Sequence, residues 1–360
     1  MTRYMFAGAL TPIGFIDFFD NIMPVQNARA RYFLKGASGG GKGTFIKRTA
    51  KALAEQGHAT ELFHCANDAA SLDAVAAEQL GLCIMDATAP HSRDPQIPVI
   101  TDTIIDFAQC LDKARLAGHK TSIINLLHDK KVLMDKAMGY FAAAGKVYAA
   151  EKAAAQAALR ATALENLANK IIRRGGLLSP ASQPHDIGRN RRLFLTAITP
   201  EGPISLADNA FDNCHVYALH TEEQIGINCL LKRIQQAANA HGTHTESFHC
   251  PLDPTQIEYL HLPSKKQAFV TTSGIFGYRG NADERINLAS CINPAMFNRV
   301  KMDIERNDEL LDALLEQTAD MLRAAKALHT KIEEIYIQAM DFARVDDMTE
   351  KFIKDTILAL

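Results

Sequence analysis

The chain has 360 residues, 47% hydrophobic and 22% charged, the balance of a globular protein long enough for two domains of ordinary size. Lys plus Arg number 39 against 41 for Asp plus Glu, so no global field recruits nucleic acid or an anionic membrane. Seven scattered cysteines without a Cys-x-x-Cys pair, and no apolar run of the ~18 residues a membrane span needs, argue against a disulfide framework, a structural zinc and a transmembrane helix; the expectation is a cytoplasmic protein.

Residues 1–30 contain Phe6, Thr11-Pro12-x-Gly14 and an aromatic cluster at Phe15, Phe18 and Phe19. Arg31 to Leu34 reads as a short strand, Gly36 to Gly41 as a glycine-rich turn, and Lys42 to Gln56 as a helix. This order suits a phosphate loop. Glycines let successive N–H groups point at an anion, the helix N-terminus adds its dipole, and Lys42 adds a point charge. Gly36-x4-Gly41-Lys42 fits the Walker A spacing, but Gly43 stands where the pattern asks for a Mg2+-ligating hydroxyl, and Thr44 follows it.

Next come a strand from Ala59 to Cys65, a turn at Asn67 and Asp68, and a buried strand from Leu80 to Met85 that delivers Asp86 at its end. An apolar strand ending in a carboxylate beside a phosphate loop is the Walker B arrangement. The candidate site is therefore Gly36, Ser38, Gly39, Gly40, Gly41, Lys42, Gly43 and Thr44 around the phosphates of ATP, with Thr44 and Asp86 on Mg2+. Ala87 occupies the place of an adjacent catalytic Glu, so His91 is assigned the positioning of a nucleophile beside the catalytic Lys42 and Asp86, and Arg93 the neutralising of developing charge.

From about 103 to 174 apolar residues fall at helical spacing, which predicts a helical insertion closing a first domain at 1–176. A linker at 177–190 contains Pro180, Pro184 and Gly188, and the basic residues Arg173, Arg174, Arg189, Arg191 and Arg192 read as solvated charge. The domain at 191–360 repeats the first. An offset of 185 residues pairs Tyr32 with Tyr217, Gly41 with Gly226, Lys47-Arg48 with Lys232-Arg233 and Phe63-His64-Cys65 with Phe248-His249-Cys250. Upstream, an offset of 188 pairs Phe6 with Phe194 and Thr11-Pro12 with Thr199-Pro200. In this register Lys42 becomes Ile227, Asp86 becomes Thr271, and Glu222 and Glu223 enter the loop, so the second copy reads as unable to bind a nucleotide. C-terminal helices are expected from about 298. The predicted fold is α/β: two tandem P-loop NTPase-like three-layer domains from an internal duplication, each followed by a long helical appendage. The recurring His64-Cys65 and His249-Cys250 pairs read as strand ends rather than metal ligands, because adjacent strand residues face opposite ways.

Phe6-x4-Thr11-x2-Gly14, the phosphate loop, Phe63-His64-Cys65, Asp86-Ala87-Thr88-Ala89-Pro90-His91, Ala197 to Gly202 and Phe248 to Pro254 together resemble an uncharacterised family of bacterial tandem P-loop NTPases, taken for ATPases. The Gly-Lys-Gly-Thr loop is also similar to that of adenylate-kinase-type nucleotide kinases. The resemblance implies a P-loop fold and ATP binding and no established reaction; Gly43, Ala87 and Ile227 depart from the family pattern. Three functions follow as expectations: slow or partner-activated ATP hydrolysis in the first domain, phosphoryl transfer to a nucleotide or small molecule, or a nucleotide-responsive interaction module. The expected partners are a nucleoside triphosphate, and a protein or a second copy of the chain through the helical appendages, with no membrane and no nucleic acid.

Overall fold

The computed structural model describes residues 2–178 and 187–359, so residues 179–186 of the expected linker lie outside the described residues. Strand β1 (Thr2–Met5) precedes a hairpin of β2 (Gly8–Thr11) and β3 (Gly14–Asp17). Then come β4 (Ala30–Lys35), α1 (Lys42–Glu55), β5 (Thr60–Cys65), β6 (Asp68–Ala77), β7 (Leu82–Asp86) and β8 (Asp102–Asp106). Helices α2 (Lys113–Ala117), α3 (Lys120–Gln156) and α4 (Ala161–Arg174) close the first half. The second half runs β9 (Asn190–Leu193), hairpin β10 (Thr196–Thr199) and β11 (Gly202–Ser205), β12 (His215–His220), α5 (Ile227–Ala240), β13 (Thr245–His249), β14 (Ile257–Leu262), β15 (Gln267–Thr271) and β16 (Glu284–Asn287). Helices α6 (Pro294–Gln338) and α7 (Phe342–Phe352) follow.

Two six-stranded mixed sheets result, ordered β1-β5-β6-β7-β4-β8 and β9-β13-β14-β15-β12-β16. The two orders match strand for strand. In each, only the third strand, β6 or β14, runs antiparallel to its neighbours. Strand β6 begins at Asp68, where the expected turn has already ended, and β8 corrects the expected helical start at 103.

Side chains alternate across each sheet, as the period of two demands. Leu34, Val75 and Ile84 face α1, while Phe33, Phe63 and Met85 enter a core that also holds Val216, Phe248 and Val270 of the other sheet. Helices therefore cover one face of each sheet and the remaining faces are buried in common. This corrects the expected three-layer domains: among the described residues neither half carries a helix over its inner face. At the junction Arg3 and Arg191 bridge two carboxylates. Arg3 reaches Glu61 at 3.0 Å and Glu246 at 2.6 Å, and Arg191 reaches Glu61 at 2.6 Å and Glu246 at 2.9 Å. Arg191 is thus a half-buried structural charge and not the solvated linker residue expected.

The helical appendages are exchanged. Antiparallel α3 and α6 pack through Ala137, Phe141 and Ala144 against Leu311, Leu315 and Leu322. Helix α4 then lies on the second half, with Leu164, Ala168 and Ile171 against Leu230, Leu231 and Ile234 of α5. Reciprocally, Met340, Val345 and Ile357 pack on Phe45, Ile46 and Leu53 of the first half. The two crossings are equivalent. Asp112 N donates to Ala339 O at 2.8 Å and Asp341 N to Cys110 O at 2.9 Å; Asn293 N donates to Ala158 O and Arg160 N to Cys291 O, both at 2.8 Å. Helix α6 starts at Pro294, ahead of the expected 298, because Asn293 caps it by accepting from the N–H groups of Ala295 and Met296.

Candidate functional site

Strand β4 leads into the glycine loop, and β7 lies beside it in parallel with Asp86 opposite Leu34, so loop and carboxylate leave the sheet at one edge. Gly36, Gly39 and Gly41 hold φ of 146°, 73° and 91°, the left-handed region that a side chain disfavours. The space is also closed. A Cβ on Gly36 would stand 2.8 Å from Phe107 Cβ, and one on Gly39 would stand 3.1 Å from the Glu333 carbonyl oxygen of α6. The second half's long helix therefore covers the first half's loop.

Lys42 opens α1 and is 7% exposed. Its ammonium donates to the carbonyls of Gly36 at 3.1 Å and Ala37 at 2.8 Å and lies 3.6 Å from Asp86 Oδ2. Asp86 Oδ1 accepts from Thr88 N at 2.9 Å and Thr88 Oγ1 at 2.6 Å, which leaves Oδ2 toward the lysine. Among the described residues the backbone N–H groups of Gly39, Gly41, Lys42 and Gly43 find no acceptor, while Gly40 N turns back on Ala37 O at 3.3 Å. Ser38 lies in the same turn, half-buried.

The side chains assigned to Mg2+ offer hard oxygen, the donor class that ion selects. Asp86 supplies a carboxylate and Thr44 an exposed hydroxyl in the first turn of α1. A Cβ on Gly43 would meet Ser71 Oγ at 3.0 Å, so a third oxygen donor, this hydroxyl of β6, occupies the neighbourhood of the one the loop lacks.

His91 is 5% exposed and stacks on Phe19 at 4.5 Å, with Nδ1 unpartnered and Nε2 3.6 Å from Asp73 Oδ2. Burial is the main force raising Asp73 to about 6, opposed by His91 and reinforced by Asp86. Asp73 is the residue that sequence reasoning missed. Continued a few residues further, the 185-residue register pairs it with Glu258, a second acid inside a strand that is otherwise largely apolar. Arg93 meets the start of the loop only through its carbonyl, which accepts from Lys35 Nζ at 2.6 Å, and its guanidinium is engaged elsewhere. It pairs with Asp17 and, at 3.2 Å, with Asp20, beside the N-terminal hairpin.

The corresponding loop of the second half keeps the left-handed backbone at Gln224 (φ 55°) and Gly226 (φ 80°), the places of Gly39 and Gly41, but not at Thr221, the place of Gly36. Its contents differ. Gly226 N donates to Gln156 Oε1 at 3.3 Å, Gln224 Nε2 to Ser273 O at 2.9 Å, and Ile227 is buried where Lys42 stands in the first. Glu258 accepts from Thr196 Oγ1 at 2.9 Å, and burial raises it to about 7. His64 Nδ1 lies 2.7 Å from Ala69 O and His249 Nδ1 2.8 Å from Pro254 O, so each imidazole closes the turn after its own strand. A cavity of about 240 Å3 lies away from the loops, between α4 and β16, lined by Arg174, Tyr217 and Glu284 among others. In the first half the ring of Phe352 lies on the equivalent tyrosine, Tyr32, at 4.8 Å.

No helix among the described residues is long and apolar enough to cross a membrane. Compared with protein families, curated proteins and solved structures, the chain has no significant match.

Proposed function

We propose that the first half binds Mg-ATP at the Gly36–Thr44 loop and hydrolyses it slowly, and that the second half is a duplicated copy that has lost nucleotide binding. The observation that carries this reading is the contrast between the loops. One offers unoccupied N–H donors around a buried lysine, whereas the other has its Gly226 N–H on a glutamine side chain and an isoleucine in the lysine's place. Lys42 would exchange the carbonyls of Gly36 and Ala37 for phosphate oxygens, and Asp86 with Thr44, joined by Ser71, would hold Mg2+. When bound, the ion neutralises charge on the phosphates.

Asp73 and His91 replace the absent adjacent Glu. Asp73 is a carboxylate at neutral pH and takes the proton of the attacking water, while His91, fixed on Phe19, orients the pair. Turnover then rises with pH through about 6, the range in which Asp73 ionises. Asp73→Asn retains ATP binding and loses turnover by roughly a hundredfold or more; a variant that hydrolyses at the wild-type rate would remove Asp73 from the role.

A second reading is a nucleotide-responsive interaction module, and the cover over the loop favours it. Val345 of α7 would stand 3.0 Å from a Cβ on Gly41, and Ile337 of α6 3.0 Å from one on Gly39. Nucleotide that fills the loop then presses on the end of α6. Hydrogen exchange at 333–350 that is the same with and without Mg-ATP would oppose this reading.

A further inference from the structure

The second half's loop carries charge of the opposite sign to the first. Glu223 stands where the register places Ser38, and its backbone is left-handed at φ 47°. Two further carboxylates approach it, Glu151 from α3 and Asp308 from α6, and one oxygen of each lies within 4.8 Å of the others. Glu151 is 2% exposed and its Oε2 is buried with no hydrogen-bond partner. A buried carboxylate oxygen without a partner is costly, and native chains resolve that cost with a donor or a cation.

The protein's own cation does not reach this oxygen. Lys152 Nζ lies 3.4 Å from Glu151 Oε1 and donates to the backbone carbonyl of Glu223 at 3.1 Å. One ammonium thus faces three carboxylates, with Glu305 and Asp312 adding negative charge beside Asp308. The nearby loop donor Gly226 N is already taken by Gln156, so no anion is invited.

We propose that Glu151, Glu223 and Asp308 form a site for a hard divalent cation of the Mg2+, Mn2+ or Ca2+ class, at the place where the second half has lost its phosphate loop. All three ligands are carboxylate oxygens, the donors such ions select. Glu223 is half-buried and Asp308 exposed, which leaves open positions for water. Each ligand comes from a different element, so the ion ties α3, α6 and the loop before α5 together where the appendages cross. The site is independent of nucleotide binding in the first half.

The test is terbium luminescence on the full, nucleotide-free chain. The chain has no tryptophan, so tyrosine sensitises the emission, and Tyr148 lies one turn before Glu151 with the Lys152 ammonium 5.0 Å from its ring. The expected result is a single saturating phase, displaced by Mn2+ or Ca2+. Glu151→Gln and Asp308→Asn each weaken it roughly tenfold or more, the second at an exposed position that does not threaten folding. Tyr148→Phe dims the emission while calorimetry still records binding. Emission that does not saturate, that survives Asp308→Asn unchanged, or that is lost in Asp86→Asn instead would overturn the proposal.

Discussion

Glu258 lies on β14 at the position that corresponds to Asp73, 4% exposed, with Thr196 as hydrogen-bond donor and Cys250 beside it. Burial raises its carboxyl from 4.5 to about 7. At 1.36 kcal/mol for each pH unit, ionising it in the folded chain costs about 3 kcal/mol more than in the unfolded chain. The sign follows from proton binding. Between about 4.5 and 7 the folded chain holds a proton that the unfolded chain has released, so stability falls as pH rises through that window and levels off above it. Glu258→Gln keeps an oxygen for Thr196 and cannot ionise. The variant should match the wild type near pH 4 and exceed it by about 3 kcal/mol near pH 8, read as the difference between urea unfolding curves across that range. Asp73 and Glu151, also raised by burial, slope the same way in both proteins and cancel in that difference. An equal difference at every pH, or a variant less stable at pH 8, would refute the reasoning.

Arg191→Met should cost about 3 kcal/mol or more in urea unfolding, because Glu61 and Glu246 would keep their buried charges with only Arg3 to pair both and His261 beside Glu246; a change near zero would contradict the assigned network. Phe352→Ala removes the half-buried ring that packs on Tyr32 at 4.8 Å and Phe45 at 4.9 Å and should cost about 2 kcal/mol, with the melt of the first half affected most. If the appendages were not exchanged, that loss would fall on the second half instead.

Much of this organisation is legible in local sequence. The glycine loop, its flanking strand and helix, and the strand ending at Asp86 carry strong local signals, and the 185-residue register anticipates that β4, α1 and β5 recur as β12, α5 and β13. Strand β6 escapes notice because Asp68 to Ala77 is half alanine, a weak strand former; pairing on both sides within the sheet makes it a strand. Asp73 is hidden with it, since its importance comes from His91 and Asp86 arriving from other segments. The exchange of appendages has no local signal at all. The apolar stripe of α3 is equally consistent with packing on its own half, and only the paired crossings at Cys110–Asp112 and Cys291–Asn293 decide where α4 and α7 lie. Charge at Arg191 misleads for the same reason, because the two carboxylates that pair with it are distant in sequence.

The central claim is one live phosphate loop among two, and calorimetric titration with Mg-ATP tests it most directly. Wild-type protein should bind at a single site, Lys42→Ala should abolish the heat, and Ile227→Lys should create no second site because Gln156 and Gln224 still fill that loop. No binding by the wild type, or undiminished binding by Lys42→Ala, would contradict the account.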